Sequence, residues 1–198
     1  MRSSATILAT LVFCAFAAGP AGAADLARPR APSAPPPTVT APSFLSELRF
    51  GVNAHDPWSP EKGSADITGE ILFAKPFTAS TPTLDLLIPR LHIGGALNTA
   101  GKTSHAYAGF TWTFDLTQEF FVEASLGGAV HNGKDGPVVP ADHNAMGCSP
   151  TFRESAAIGW RLTANWSVMA TVEHLSNAGI CDQNRGLTNI GAKVGYRF

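Results

Sequence analysis

The sequence lacks what would take it to nucleic acid, to a metal or across a membrane on helices. Its formal net charge is -1, so it offers no basic footprint to a phosphate backbone and no nucleic-acid partner is expected. Its six histidines share no ligand spacing, and no glycine-rich phosphate loop is present. No metal and no cofactor is therefore expected. Cysteines number three. Apart from an N-terminal run between Ala5 and Ala18, no segment approaches the roughly 20 apolar residues of a spanning helix. Without such a helix, the chain can cross a bilayer only as a closed barrel, which satisfies every backbone polar group internally.

That N-terminal run has the marks of export. Arg2 precedes it and the small residues Ala21-Gly22-Ala23 follow, which reads as a signal peptide over residues 1–23. Cys14 lies inside the run without a lipobox and is expected to leave with it. Cys148 and Cys181 then remain in an oxidising compartment, where an even number favours a disulfide over two free thiols. Residues 24–43 are rich in Pro, Ala and Ser with little to bury, and read as an extended, disordered linker.

From Phe44 to Phe198 the chain alternates apolar and polar residues in segments of about ten, the pattern of transmembrane strands. The expected strands are 44–53, 65–75, 87–98, 104–116, 119–132, 151–162, 166–177 and 188–198. The fourth places Ala106, Ala108, Phe110, Trp112, Phe114 and Leu116 on one face, with His105, Tyr107, Gly109, Thr111, Thr113 and Asp115 on the other. The eighth repeats this, with Lys193 and Arg197 sharing one face. Glu47, Arg49, Glu70, Arg90, Glu123, Arg153, Arg161 and Glu173 join that polar side, where opposite charges can pair. A water-soluble barrel would bury the other face, but this charged side is too crowded for a dry ligand cup. The expectation is an all-β fold: an eight-stranded antiparallel transmembrane barrel over residues 44–198, with polar interior and lipid-facing exterior. Trp112, Trp160, Trp166 and Tyr196 sit near strand ends, as interfacial aromatics do. With the linker in the periplasm, the short connections 117–118 and 163–165 are periplasmic turns and 133–150 and 178–187 are surface loops. The connection 76–86 is long for a periplasmic turn.

The seventh strand carries the chemistry. Its outward parity runs Trp166, Val168, Ala170, Val172, His174, Ser176, so a lipid-facing strand ends on an imidazole and a hydroxyl. Residues i and i+2 share a face about 7 Å apart, and a base beside serine suits attack on an ester. A polar strand end at the membrane surface is the bland reading of the same pair. His92, His105 and His131 face inward, and His55 and His143 fall in loops.

The segment His174-Leu175-Ser176-Asn177-Ala178-Gly179, followed by Asn184 and Gly186, closely resembles the signature of the PagL-type lipid A 3-O-deacylase family. The resemblance covers about the last 25 residues in detail. It implies an outer-membrane hydrolase acting on lipid A, with Ser176 the nucleophile and His174 the general base. Gly179, through its backbone, and Asn184, through its side chain, are then oxyanion-hole residues, and Asn177 holds the turn. The partners implied are lipid A and outer-membrane lipids, with homodimerisation left open. Lone loop cations such as Lys102, Lys134 and Arg185 could meet the phosphates of lipid A.

One position departs from the family: its orienting carboxylate stands twelve residues after the serine, where this chain has Thr188. Aligning Leu162 with Trp166 across the turn 163–165 puts Glu154 directly opposite His174, about 5 Å away. The expected triad is Ser176, His174 and Glu154, with Asp182 the second choice of acid and Glu173 set aside for its inward parity. The same register brings Cys148 beside Cys181. A non-catalytic structural or adhesin barrel, and an esterase or acyltransferase for another lipid, are the competing readings.

Overall fold

The computed structural model describes residues 44–198, so the expected signal peptide 1–23 and linker 24–43 lie outside the described residues. Eight strands follow in order: β1 (Leu45–His55), β2 (Ser64–Phe73), β3 (Arg90–Asn98), β4 (His105–Asp115), β5 (Phe120–His131), β6 (Thr151–Arg161), β7 (Trp166–Ser176) and β8 (Leu187–Arg197). Each pairs with the next and β8 closes on β1, all antiparallel, in one closed barrel. Closure leaves no sheet edge to be satisfied by solvent. The ends of the strands fall within a few residues of those expected from alternation.

Two details differ from the sequence expectation. His55 is the last residue of β1 rather than a loop residue, and its ring is buried between Asp66 and Glu61, at 2.9 and 2.8 Å. The long connection between β2 and β3 contains one helical turn, α1 (Pro82–Leu86). Thr81 caps it by accepting from the Leu84 N–H at 3.4 Å. Proline starts it because it has no N–H to leave unsatisfied in the first turn.

Period-two alternation sorts the side chains. Phe50, Val52, Ile67, Leu91, Ile93, Leu97, Phe110, Leu126, Val130, Ile158, Val172, Ile190 and Val194 stand exposed on the outer face. So large an apolar exterior is a lipid-facing belt, since in water it would drive association. Inside, Arg49 pairs with Glu47, Glu70 and Glu123 at 2.7, 3.2 and 2.7 Å, and Arg153 with Glu173 at 2.7 Å. Lys193 and the Tyr107 hydroxyl both reach Glu70, at 3.2 and 2.9 Å. Pairing is what makes these buried charges tolerable. The cavity among them has a volume of about 10 Å³, room for about one water.

The two ends differ. One carries the short turns 116–119 and 162–165 and the connection 74–89. Its outer rim is aromatic: Phe120 stacks on Trp160 at 5.9 Å, and Trp166 meets Tyr196 at 4.9 Å. The Trp112 indole donates to Leu87 O at 2.9 Å, fastening the strand to the residues after α1. Rings of this kind belong at a membrane interface. The opposite end carries the loops 56–63, 99–104, 132–150 and 177–186. β7 ends there.

Candidate active site

The loop end of β7 brings His174 and Ser176 to the outer face, both half-buried where Val172 beneath them is exposed. Strand pairing supplies the neighbours. On β6, Glu154 stands opposite His174 and Phe152 opposite Ser176, the register expected from the turn 163–165. On β8, Thr188 stands opposite His174. The imidazole therefore lies in a row between a carboxylate and a hydroxyl.

Only one of these touches the ring by hydrogen bond among the described residues: His174 Nδ1 meets Thr188 Oγ1 at 2.8 Å. Glu154 is exposed and has no hydrogen bond to His174. With Nδ1 engaged, the Nε2 edge is the one left for chemistry. The ring packs close to Gly186, where an added Cβ would lie 3.0 Å from Cε1 and 3.3 Å from Nε2. Gly186 also adopts φ +71°, a left-handed conformation that L side chains rarely take. Glycine at this position thus makes room for the ring. Among the described residues no hydrogen bond joins Ser176 to His174; the two stand side by side on one face.

The loop after Ser176 is built around Asn177, which is buried. Its amide nitrogen donates to Met146 O at 2.9 Å and Gln183 O at 2.6 Å. Its amide oxygen accepts from Gly179 N at 3.0 Å, so the Gly179 N–H is occupied. Asn184 Oδ1 accepts from Asn177 N at 2.9 Å, leaving its own amide nitrogen as the donor to spare. Asn184 is exposed. Ile180 N closes a turn on Asn177 O at 3.0 Å, with positive φ at both central residues, Ala178 at 54° and Gly179 at 78°. This is the type I′ pattern, which favours Gly or Asn where the chain has Ala178.

The loop 177–186 is tied to the loop 132–150 by a disulfide between Cys148 and Cys181 and by Arg185 N donating to Ala145 O at 3.1 Å. Beneath the two loops, Met146, Leu175, Leu187, Tyr107 and Ala129 form a buried apolar plug. Asn144, fully buried, donates to Asp56 Oδ2 at 2.6 Å and Gly186 O at 3.2 Å. Asp56 Oδ1 accepts from Thr188 N at 3.1 Å. Thr188, Gly186, Asn144 and Asp56 complete the surroundings of the ring, and the sequence carries no signal for the last two. The glycine in the signature and the position twelve after serine were the only signals for the first two.

The second-choice acid, Asp182, is exposed in the loop, and Glu173 points into the lumen onto Arg153. Among the described residues no cluster of three or more His, Cys, Asp or Glu side chains could hold a metal ion.

A family model described as lipid A 3-O-deacylase (PagL) matches residues 72–197, more than half of the chain. Among solved structures, the outer-membrane enzyme PagL superposes with a TM-score of 0.60 at 16% identity, covering 77% of this chain and 100% of that one. A transmembrane β-barrel of de novo design superposes with a TM-score of 0.50 at 11% identity, covering 80% of this chain and 98% of that one. At such identities the likeness concerns the fold. No curated protein matches the sequence.

Proposed function

The chain belongs to the lipid A 3-O-deacylase (PagL) family, and from that premise we propose that it removes the 3-O-linked acyl chain of lipid A as an outer-membrane serine esterase. The observation that carries this reading is the outward pair His174 and Ser176 at the loop end of β7, with Nδ1 engaged by Thr188. An ester in a lipid of the outer leaflet reaches such a site sideways and need not enter the barrel. The loop end is then the cell surface, and the aromatic rim lies at the periplasmic interface.

In the proposed reaction, Ser176 Oγ attacks the ester carbonyl while His174 Nε2 takes its proton. The tetrahedral intermediate collapses by expelling the sugar 3-oxygen, which receives that proton from His174. Water, activated by the same nitrogen, then cleaves the acyl-serine and restores the hydroxyl. The products are lipid A with a free 3-hydroxyl and one fatty acid. Asn184 is the donor proposed for the developing oxyanion, because its amide nitrogen is uncommitted; Gly179 joins only if its N–H leaves Asn177. Glu154 is the carboxylate proposed beside the ring on its β6 side, at the headgroup level. The signal peptide 1–23 would deliver the chain to export, and the linker 24–43 would stay in the periplasm.

The test is mass spectrometry of lipid A from cells making the wild type or Ser176→Ala. Loss of one 3-O-acyl chain with the wild type alone is expected. Unaltered lipid A in both would sink the reading in favour of a non-catalytic barrel, and loss of a different chain would redirect it to another esterase specificity.

A further inference from the structure

The row that contains His174 does not end at Thr188. Ala54 of β1 pairs with Ile190 of β8, so the next facing residues just beyond the ladder are Asp56 and Thr188. Asp56 has outward parity, but its φ of 36° turns it out of the strand. The residue is 5% exposed, and its carboxylate takes its hydrogen bonds from neutral donors, Thr188 N and Asn144 Nδ2.

This carboxylate is unlike the others buried in the protein. Glu47, Glu61, Asp66, Glu70, Glu123 and Glu173 each have an arginine, lysine or histidine within 4.0 Å. Asp56 has none among the described residues. Burying an anion that no positive charge faces is costly, and hydrogen bonds from neutral donors offset only part of that cost. One group beside it acquires such a charge during the proposed reaction: His174, whose Nδ1 is bonded to the residue that Asp56 holds.

We propose that Asp56 is the anionic positioning residue of the site, acting on His174 through Thr188 in place of the family carboxylate missing at residue 188. This rests on the esterase reading above. Thr188 can either donate to Nδ1 or accept from it. A negative charge behind Thr188 favours the arrangement with the positive N–H end pointing toward it, which leaves Nε2 free as the base. The same charge stabilises the imidazolium formed as Ser176 attacks. Across roughly 7 Å at an effective dielectric of about 20, one unit charge changes an equilibrium between tenfold and a hundredfold.

Other charges around the ring have weaker claims. Glu154 on β6 is exposed, where solvent and headgroups screen it. Asp182 and Arg185 of the loop are exposed as well. Glu173 and His55 face the lumen and are committed to Arg153 and to Asp66 and Glu61. Asp56 precedes the residues that the family model matches, 72–197. It is a compensation contributed by the loop after β1.

The experiment measures acyl release from 3-O-acylated lipid A in detergent micelles by the full-length protein. With Asp56→Asn, kcat should fall at least tenfold with little change in KM, and the acid limb of the pH–rate profile should move down by about one pH unit. Thr188→Val, which keeps the N–H bonded to Asp56 but removes the hydroxyl bonded to Nδ1, should also lower kcat, Thr188→Ser should retain the wild-type profile, and Asp56→Asn should cost less in the Thr188→Val background than in the wild type. In a Thr188→Glu background, Asp56→Asn should have little effect. An unmoved acid limb, multiplicative losses in the double variant, or a shift produced by Glu154→Gln alone overturns the proposal. Should Asp56→Asn not assemble, as judged by heat-modifiable migration, an unchanged rate and profile in Thr188→Val overturns it equally. Activity that survives Ser176→Ala defeats the esterase reading itself, and no acyl release by the wild type removes both.

Discussion

Gly186 shows how little space the imidazole has to spare. A methyl group there would lie 2.9 Å from Leu175 O and 3.0 Å from His174 Cε1. It would also sit on a backbone whose φ of +71° suits glycine. Gly186→Ala should therefore push the ring off its position, and because a 1 Å misplacement can cost on the order of a hundredfold in rate, a fall of that size in kcat is expected. The check is a turnover assay beside a gel showing that the barrel still folds; an intact rate would mean the ring tolerates the displacement. His174 and Ser176 were legible in the sequence because the signature and the strand parity agree on them. The hydrogen bond to Thr188 was not, because the position drew notice only for the charge it lacks. Asp56 was hidden for another reason: its left-handed backbone breaks the alternation by which an outward residue is recognised.

At the scale of elements, strands and loops differ in what specifies them. A strand is fixed by alternation, and the β6–β7 register by its short turn, so the pairing of Glu154 with His174 is legible in the sequence. The loops that frame the site are fixed by side chain to backbone bonds, above all those of Asn177 and Asn144. No periodicity announces such bonds. The disulfide between Cys148 and Cys181 spans a sequence separation of 33 residues, and closing a loop of that length contributes about 3–4 kcal/mol in the chain-entropy account. Replacing both cysteines with serine should lower the thermal midpoint of the folded barrel and reduce turnover, because the loop after Ser176 loses its covalent tie. Differential scanning calorimetry and the same acyl-release assay would show it. A variant unchanged in both would mean that the hydrogen bonds alone hold the loops.

For the molecule as a whole, acid stability depends partly on the loop end. Burial pushes the Glu61 carboxyl up, but hydrogen bonds from the His55 ring, the Asn144 and Thr103 amides and the Thr103 hydroxyl outweigh it and bring it from 4.5 to about 2. The folded form thus binds this proton less tightly than the unfolded chain. Its contribution is complete above pH ~4.5 and disappears as pH falls toward 2. Urea unfolding followed by tryptophan fluorescence should show wild-type stability rising from pH 2 to 4.5, and Glu61→Gln should rise less over that interval. Equal slopes would remove Glu61 from the account. The barrel architecture was legible in outline because charges and apolar residues separate cleanly by parity. How the charges pair was not, since Arg49 meets Glu123 from far along the chain and only closure brings them together. That packed lumen has a physiological side. With a cavity of about 10 Å³, the molecule spans the bilayer without perforating it, so a cell can make it in quantity without admitting antibiotics or detergents through it. In planar bilayers it should give no single-channel conductance, and steady open-channel currents would contradict the packing.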